Sequence, residues 1–272
     1  MVKTSITERL RHFFETLISH PVRFIKAVTF YTGAFFMVLF TLIAIGTGVY
    51  FFTLPDINAM TYDDLVAKAK AHVHQELKDK KKQYKWSPIA KMNRDLIYTI
   101  VMAEDGNYFK HSGINYDALL GSLAENLKRK EFAYGASTIT QQVAKNLFLT
   151  KEKSLLRKLR EYSITKRLEA RFTKNQILEV YLNIAELGSD VYGVRAAAWT
   201  YYQKRPSQIN AAEGALLACL LPSPRRYAYS IFQNHHIAPD IRRKYIRVLK
   251  DMRYHEYISP EQYNRYKNYD FF

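Results

Sequence analysis

Asp95-Leu-Ile-Tyr-Thr-Ile-Val-Met-Ala-Glu104-Asp105-Gly-Asn-Tyr108-Phe109-Lys-His111-Ser-Gly113 is the stretch on which the fold turns. Its first half reads as a buried helix, and that helix runs directly into two carboxylates and a Gly-Asn turn. A glutamate leaving an apolar helix is partly desolvated, which makes it a better proton acceptor near neutral pH. Asp105 and His111 stand near enough in sequence to orient it or a substrate hydroxyl. A Glu-Asp pair alone is more often an ordinary helix end, so its meaning depends on what surrounds it.

On the N-terminal side, Ala27 to Pro55 contains no Asp, Glu, Lys or Arg. Those 29 residues exceed the roughly 20 needed to cross a bilayer core. A cleaved signal would have a shorter apolar region followed by a small-residue cleavage site, so an uncleaved anchor is expected. Lys3, Arg9, Arg11, Arg23 and Lys26 precede the span, against Lys68 and Lys70 in the comparable stretch after it. The positive-inside rule then puts the N-terminus in the cytoplasm and the remaining residues outside.

On the C-terminal side the pattern is helical. Thr138-Ile-Thr-Gln141 and Thr173-Lys-Asn-Gln176 fit capping boxes, Ser154 to Phe172 reads as a long basic helix with apolar Leu155, Leu159, Tyr162 and Leu168, and Pro206 to Leu221 as another helix. Gly 10 and Pro 8 in 272 residues leave too little punctuation for many short strands. The single Cys219 excludes an internal disulfide and a Cys-based zinc site. Lys+Arg 41 against Asp+Glu 25 gives a net charge of +16, concentrated between Lys128 and Arg171. A polyanion, an anionic bilayer or a phosphorylated substrate would each suit that charge, and an extracytoplasmic location argues against nucleic acid.

Two further blocks carry chemistry. Gly135-Ala-Ser137-Thr138-Ile-Thr140-Gln141-Gln142-Val-Ala-Lys145-Asn146 opens a helix, whose free N–H groups and positive dipole suit phosphate or sugar hydroxyls. Arg157-Lys158-Leu-Arg160-Glu161 sets two cations three and four residues before one carboxylate, so both reach it on a helix. Read singly, these are a capped helix and a surface ion pair. Two decoys are set aside. Ser163-Ile-Thr-Lys166 has the Ser-x-x-Lys spelling of penicillin-reactive enzymes, but no Lys-Thr-Gly follows it, and His72 and His74 point to different sides of a helix.

In order and spacing the three blocks resemble the peptidoglycan glycosyltransferase family, the module shared by bifunctional penicillin-binding proteins and monofunctional enzymes. Ile177-Leu-Glu179-Val-Tyr181-Leu-Asn183 matches a fourth family block, and Gly188 to Lys204 a fifth more loosely. Tyr108 stands where the family usually has Phe, Ala136 and Gln203 where Gly is usual, and the common proline after Tyr227 is absent. The two Gly replacements are read to mean that neither backbone position needs a Gly-only conformation.

The resemblance implies an all-α, lysozyme-like fold with one N-terminal transmembrane helix and a smaller membrane-proximal lobe that includes Asn115 to Tyr134. It divides the chain into a cytoplasmic tail (1–26), an anchor (27–55), a stalk helix (56–85), the glycosyltransferase domain (86–230) and a C-terminal helical extension (231–272). It implies Glu104 and Glu161 as catalytic groups. Asp105, His111, Ser137, Thr138, Gln141, Gln142, Lys145, Asn146, Arg157 and Lys158 are implied to contact substrate or pyrophosphate. The implied substrate is lipid II together with the growing lipid-linked strand, at the outer face of the bacterial inner membrane. Membrane lipids and divisome or elongasome proteins are the expected partners. No cofactor is obligatory, with Mg2+ or Mn2+ near Glu161 as the one candidate. A lytic muramidase, a catalytically dead scaffold and a nucleic-acid binder are the competing classes. The muramidase needs neither a cationic pyrophosphate site nor an anchor.

Overall fold

Most of the charge-free run folds as one helix, α1 (Pro21–Phe52). The computed structural model to which it belongs describes residues 8, 11, 13, 15, 19, 21–78, 84–129, 137–150, 152 and 154–272. It divides into two units, Met1–Leu54 and Pro55–Phe272. At about 1.5 Å per residue, α1 is about 48 Å long, enough to cross a bilayer with tilt. None of its residues is buried, so it is not a core helix. The hydroxyls of Thr29, Thr32 and Thr41 donate to the carbonyls of Ile25, Val28 and Met37 at 2.9, 2.8 and 2.9 Å. Bonded back to their own helix, they suit an environment without water.

The second unit is helical: α2 (Tyr62–Leu77), α3 (Arg94–Asp105), α4 (Tyr116–Arg129), α5 (Ile139–Phe148), α6 (Leu155–Arg171), α7 (Lys174–Ile184), α8 (Gly193–Tyr202), α9 (Ala211–Leu220), α10 (Pro224–Ala228), α11 (Pro239–Tyr254) and α12 (Pro260–Tyr266). A short antiparallel hairpin, β1 (Glu186–Gly188) with β2 (Val191–Tyr192), interrupts the helices between α7 and α8. Every residue of α9 is buried, as a helix apolar on all sides must be. It packs on α3 and α11. Gly214 permits the close approach to α3, because a Cβ there would lie 2.5 Å from Thr99 Oγ1 and 3.2 Å from Leu96 Cα.

Both expected capping boxes are present, at Thr138 on α5 and Thr173 on α7. Two expectations, on the stalk helix and on Gln203, need correction. The stalk helix over 56–85 is replaced by α2, which ends at Leu77 and buries Leu65, Ala69, Val73 and Leu77 in the folded unit. Lys80, Lys81 and Lys82 of its basic cluster lie outside the described residues, as do Ala136 and 130–134 of the proposed lobe. On α6, Leu155, Leu159 and Tyr162 face outward at 89, 59 and 43% exposure, while Glu161, Ile164, Thr165 and Leu168 face inward. Gln203 adopts the left-handed conformation that glycine favours, with φ 53° and ψ 33° where α8 ends. That conformation costs a non-glycine residue about 1 kcal/mol or more, and tertiary packing offsets it here.

The fourth sequence block proves architectural. Glu179 accepts from Tyr62 Oη at 2.7 Å, Trp86 Nε1 at 2.9 Å and the Ile89 amide at 2.8 Å. Asn183 exchanges two 2.8 Å hydrogen bonds with the backbone of Ser87. Together they fasten α2 and the entry to α3 against α7.

Candidate active site

Glu104 is carried on the last turn of α3, whose start is capped by Asn93 and whose flank is set by α9. Its neighbour Asp105 is 5% exposed and turned inward. There it accepts from the Ile139 amide, in the first turn of α5, at 3.1 Å and from His111 Nε2 at 2.9 Å. The carboxylate accepts, so Nε2 is the protonated ring nitrogen. An anion at a helix N-terminus is favoured by the dipole and the free N–H groups. Asp105 thus stitches the end of α3 to the start of α5.

That stitch brings Glu104 opposite Gln142, one turn into α5. Gln142 Nε2 donates to Glu104 Oε2 at 3.0 Å, and Tyr181 Oη donates to Gln142 Oε1 at 3.4 Å. Burial raises the Tyr181 hydroxyl well above its ordinary pKa, so it acts here as a hydrogen-bond donor. Lys244 of α11 reaches the other oxygen, Glu104 Oε1, at 3.3 Å and donates to the Ala218 carbonyl at the same distance. The Glu104 side chain keeps 15% exposure, so a substrate group can meet it.

The cations form a second cluster. Glu161, 2% exposed, lies beside Lys158 Nζ, and Arg157 Nη1 stands 3.9 Å from its other oxygen. Lys145 completes the set. It is exposed at the surface, yet the surrounding protein lowers its pKa, chiefly through desolvation. Arg157 and Lys158 act in the same direction, while Glu161 and Glu104 oppose it. Both acids therefore lie within electrostatic reach of one ammonium group. Lys145, Asn146 and Arg157 line a groove of about 710 Å3, whose opposite wall is α2 with Lys68, His72 and Gln75. Volumes of this order suit small-molecule and cofactor-sized ligands.

The remaining expected residues divide by what they touch. Thr138 and Gln141 are buried and committed to their capping box, and Thr138 also donates to the Gly113 carbonyl at 2.6 Å. Ser137, just before that cap, is exposed. Among the described residues no three His, Cys, Asp or Glu side chains cluster to hold a metal ion. The lone carboxylate Glu161 already faces two cations, a donor set that does not fit a protein-held divalent ion.

Sequence reasoning missed Lys244 and the α2 wall. The α11 helix buries Ile241, Tyr245, Val248, Leu249 and Met252. Lys244 sits within that apolar register, which was the signal available. Tyr108, where the family usually has Phe, is wholly buried, and its hydroxyl donates to the Lys174 carbonyl at 2.8 Å.

The mostly helical second unit thus sets an acid at one helix end close to a groove lined by cations. The transglycosylase family model matches residues 70–253, and the chain belongs to that family. It is 42% identical to a biosynthetic peptidoglycan transglycosylase of Janthinobacterium sp. (strain Marseille) over 145 residues, 53% of this chain and 63% of that one. Against the protein of the same name from Herminiimonas arsenicoxydans it is 42% identical over 155 residues, 56% and 67% of the two chains. Against that of Chromobacterium violaceum the figures are 35% over 186 residues, 68% and 79%. The chain thus spans slightly less than two thirds of the Janthinobacterium relative's length.

Proposed function

We propose that the protein is a membrane-anchored glycosyltransferase that polymerises lipid II into β-1,4-linked glycan strands by an inverting displacement. The observation that supports this reading is that Glu104 is held by Gln142 and Lys244, while Arg157 of the Glu161 cluster lines one groove with Lys145. Glu104 removes the proton from the 4-hydroxyl of the acceptor's N-acetylglucosamine. The freed oxygen attacks the anomeric carbon of the strand's terminal N-acetylmuramic acid, and undecaprenyl pyrophosphate leaves with the bonding pair. Lys145, Arg157 and Lys158 balance the charge that grows on that leaving group. Glu161 holds Arg157 and Lys158 in place, and Gln142 with Lys244 fixes the Glu104 carboxylate.

A substrate with a prenyl tail stays in the bilayer, which accounts for α1 and for the outward-facing leucines of α6. By the flanking charges, the N-terminus lies in the cytoplasm and the catalytic unit on the far side of the inner membrane. Divisome or elongasome proteins are the natural partners there.

The test is lipid II polymerisation by the full chain in detergent, read as glycan strands on a gel. Glu104→Gln keeps the shape and the Gln142 contact but removes the base, so turnover should fall by about 10²-fold or more. Moenomycin should block the wild-type reaction. Near-normal turnover in Glu104→Gln refutes the assignment.

A further inference from the structure

A second groove, of about 780 Å3, shares no lining residue with the cationic groove or with the set around Glu104. It runs between the outer face of α8, the hairpin turn and a π-helical turn, Tyr229–Gln233, that continues α10. Departures from regular helix of this kind recur at functional sites. Ala228, which stands where the family's common proline is absent, is part of its lining, and the left-handed Gln203 directly precedes its Lys204.

Its chemistry is specific. Trp199 and Tyr229 present their rings to solvent at 61 and 57% exposure, unusual for large aromatics without a partner. Behind them Tyr201 and Phe232 stack at 4.1 Å, which makes the wall rigid. Arg225 and Lys204 of the lining are paired with Glu186 and Glu213. Arg195 and Lys85 also line the groove, together with one carboxylate, Asp190. Flat rings with an apolar face suit the C–H faces of pyranose units, and cations suit carboxylates.

The two grooves meet at the last turn of α2. Gln75 and Glu76 line the one that holds Lys145 and Arg157, and Leu77 lines the other. We propose that this second groove is a distal subsite for the nascent glycan strand. Trp199 and Tyr229 stack on its sugars, while Arg195 and Lys85 pair with the carboxylates of its stem peptides. The proposal rests on the polymerase reading above for the identity of the strand, but its test needs no turnover.

The probe is a lipid-free, uncrosslinked tetrasaccharide bearing its peptides, titrated calorimetrically into the full chain in detergent micelles. Wild type should bind it. Trp199→Ala should weaken binding about tenfold, Trp199→Phe should restore most of it, and Arg195→Glu should weaken it at low salt only. The same tetrasaccharide without peptides should bind more weakly and without salt dependence. Thermal unfolding should be unchanged in the Trp199 and Arg195 variants, since both side chains are exposed. Equal binding by Trp199→Ala and wild type, or equal binding by Arg195→Glu and wild type at low salt, overturns the subsite. Failure of the polymerase reading instead appears as retained polymerisation by Glu104→Gln, so the two failures are distinguishable.

Discussion

Replacing Asp105 by alanine should cost more stability than any other single change at the α3–α5 junction. The substitution removes the acceptor for two donors, the Ile139 amide at 3.1 Å and His111 Nε2 at 2.9 Å. Each buried donor left unpaired costs about 1–3 kcal/mol, and loss of an anion from a helix N-terminus adds about 0.5–1 kcal/mol. The His111 side chain keeps 11% exposure and can recover part of its bond with water. The expected loss is therefore about 3–4 kcal/mol. Asp105→Asn retains an acceptor for Ile139 but turns an amide toward His111, so about 1–2 kcal/mol is expected. Urea unfolding of the full chain in micelles, followed by circular dichroism, measures both. A double-mutant cycle of Asp105→Asn with His111→Ala should show a coupling of about 1 kcal/mol. An alanine variant within about 0.5 kcal/mol of wild type would sink the stitch, as would strict additivity in the cycle.

Three other outcomes follow from the same geometry. Desolvation lowers the Lys145 pKa below 10.5, so polymerisation should lose its alkaline limb below that value; stability should rise with pH between the folded and unfolded values, where the unfolded chain binds more protons. Lys145→Arg should move the limb upward in a pH–rate profile, and an unmoved limb contradicts the role. Lys244→Met should reduce kcat about tenfold with little change in KM, because it frees one oxygen of Glu104 without touching the cationic groove; a pure KM effect would argue against positioning. Gly214→Ala forces a Cβ to within 3.2 Å of Leu96 Cα, so overpacking of about 1–3 kcal/mol outweighs the roughly 1 kcal/mol gained in helix propensity; a stabilised variant in the same urea assay would contradict the close crossing.

Features that depend on neighbours within a few residues were readable from the chain. The caps at Thr138 and Thr173 and the Arg157, Lys158 and Glu161 cluster are properties of i to i+3 and i+4 spacing. The family resemblance, carried by the order and spacing of three blocks, also brought Glu104, Lys145 and Arg157 into one hypothesis. Roles set by distant partners were not readable. Asp105 is turned inward by His111 and by the Ile139 amide of α5, and the second of these partners is 34 residues away in the chain. Lys244 meets Glu104 across 140 positions, and no local pattern encodes such a meeting. The buried face of α6 was not readable for a related reason. Counting leucines identifies an apolar stripe but not the direction it faces, and here the acid is inside and the leucines outside.

That inverted arrangement has a practical consequence for handling the protein. Leu155, Leu156 and Leu159 are joined on the same side by Tyr162, whose hydroxyl meets that of Tyr116 at 3.1 Å, and so by the exposed Leu119 and Leu120 of α4. Deleting α1 would leave this greasy surface untouched. A shortened version should still self-associate in plain buffer and disperse only with detergent, unless Leu155 and Leu159 are also changed to serine.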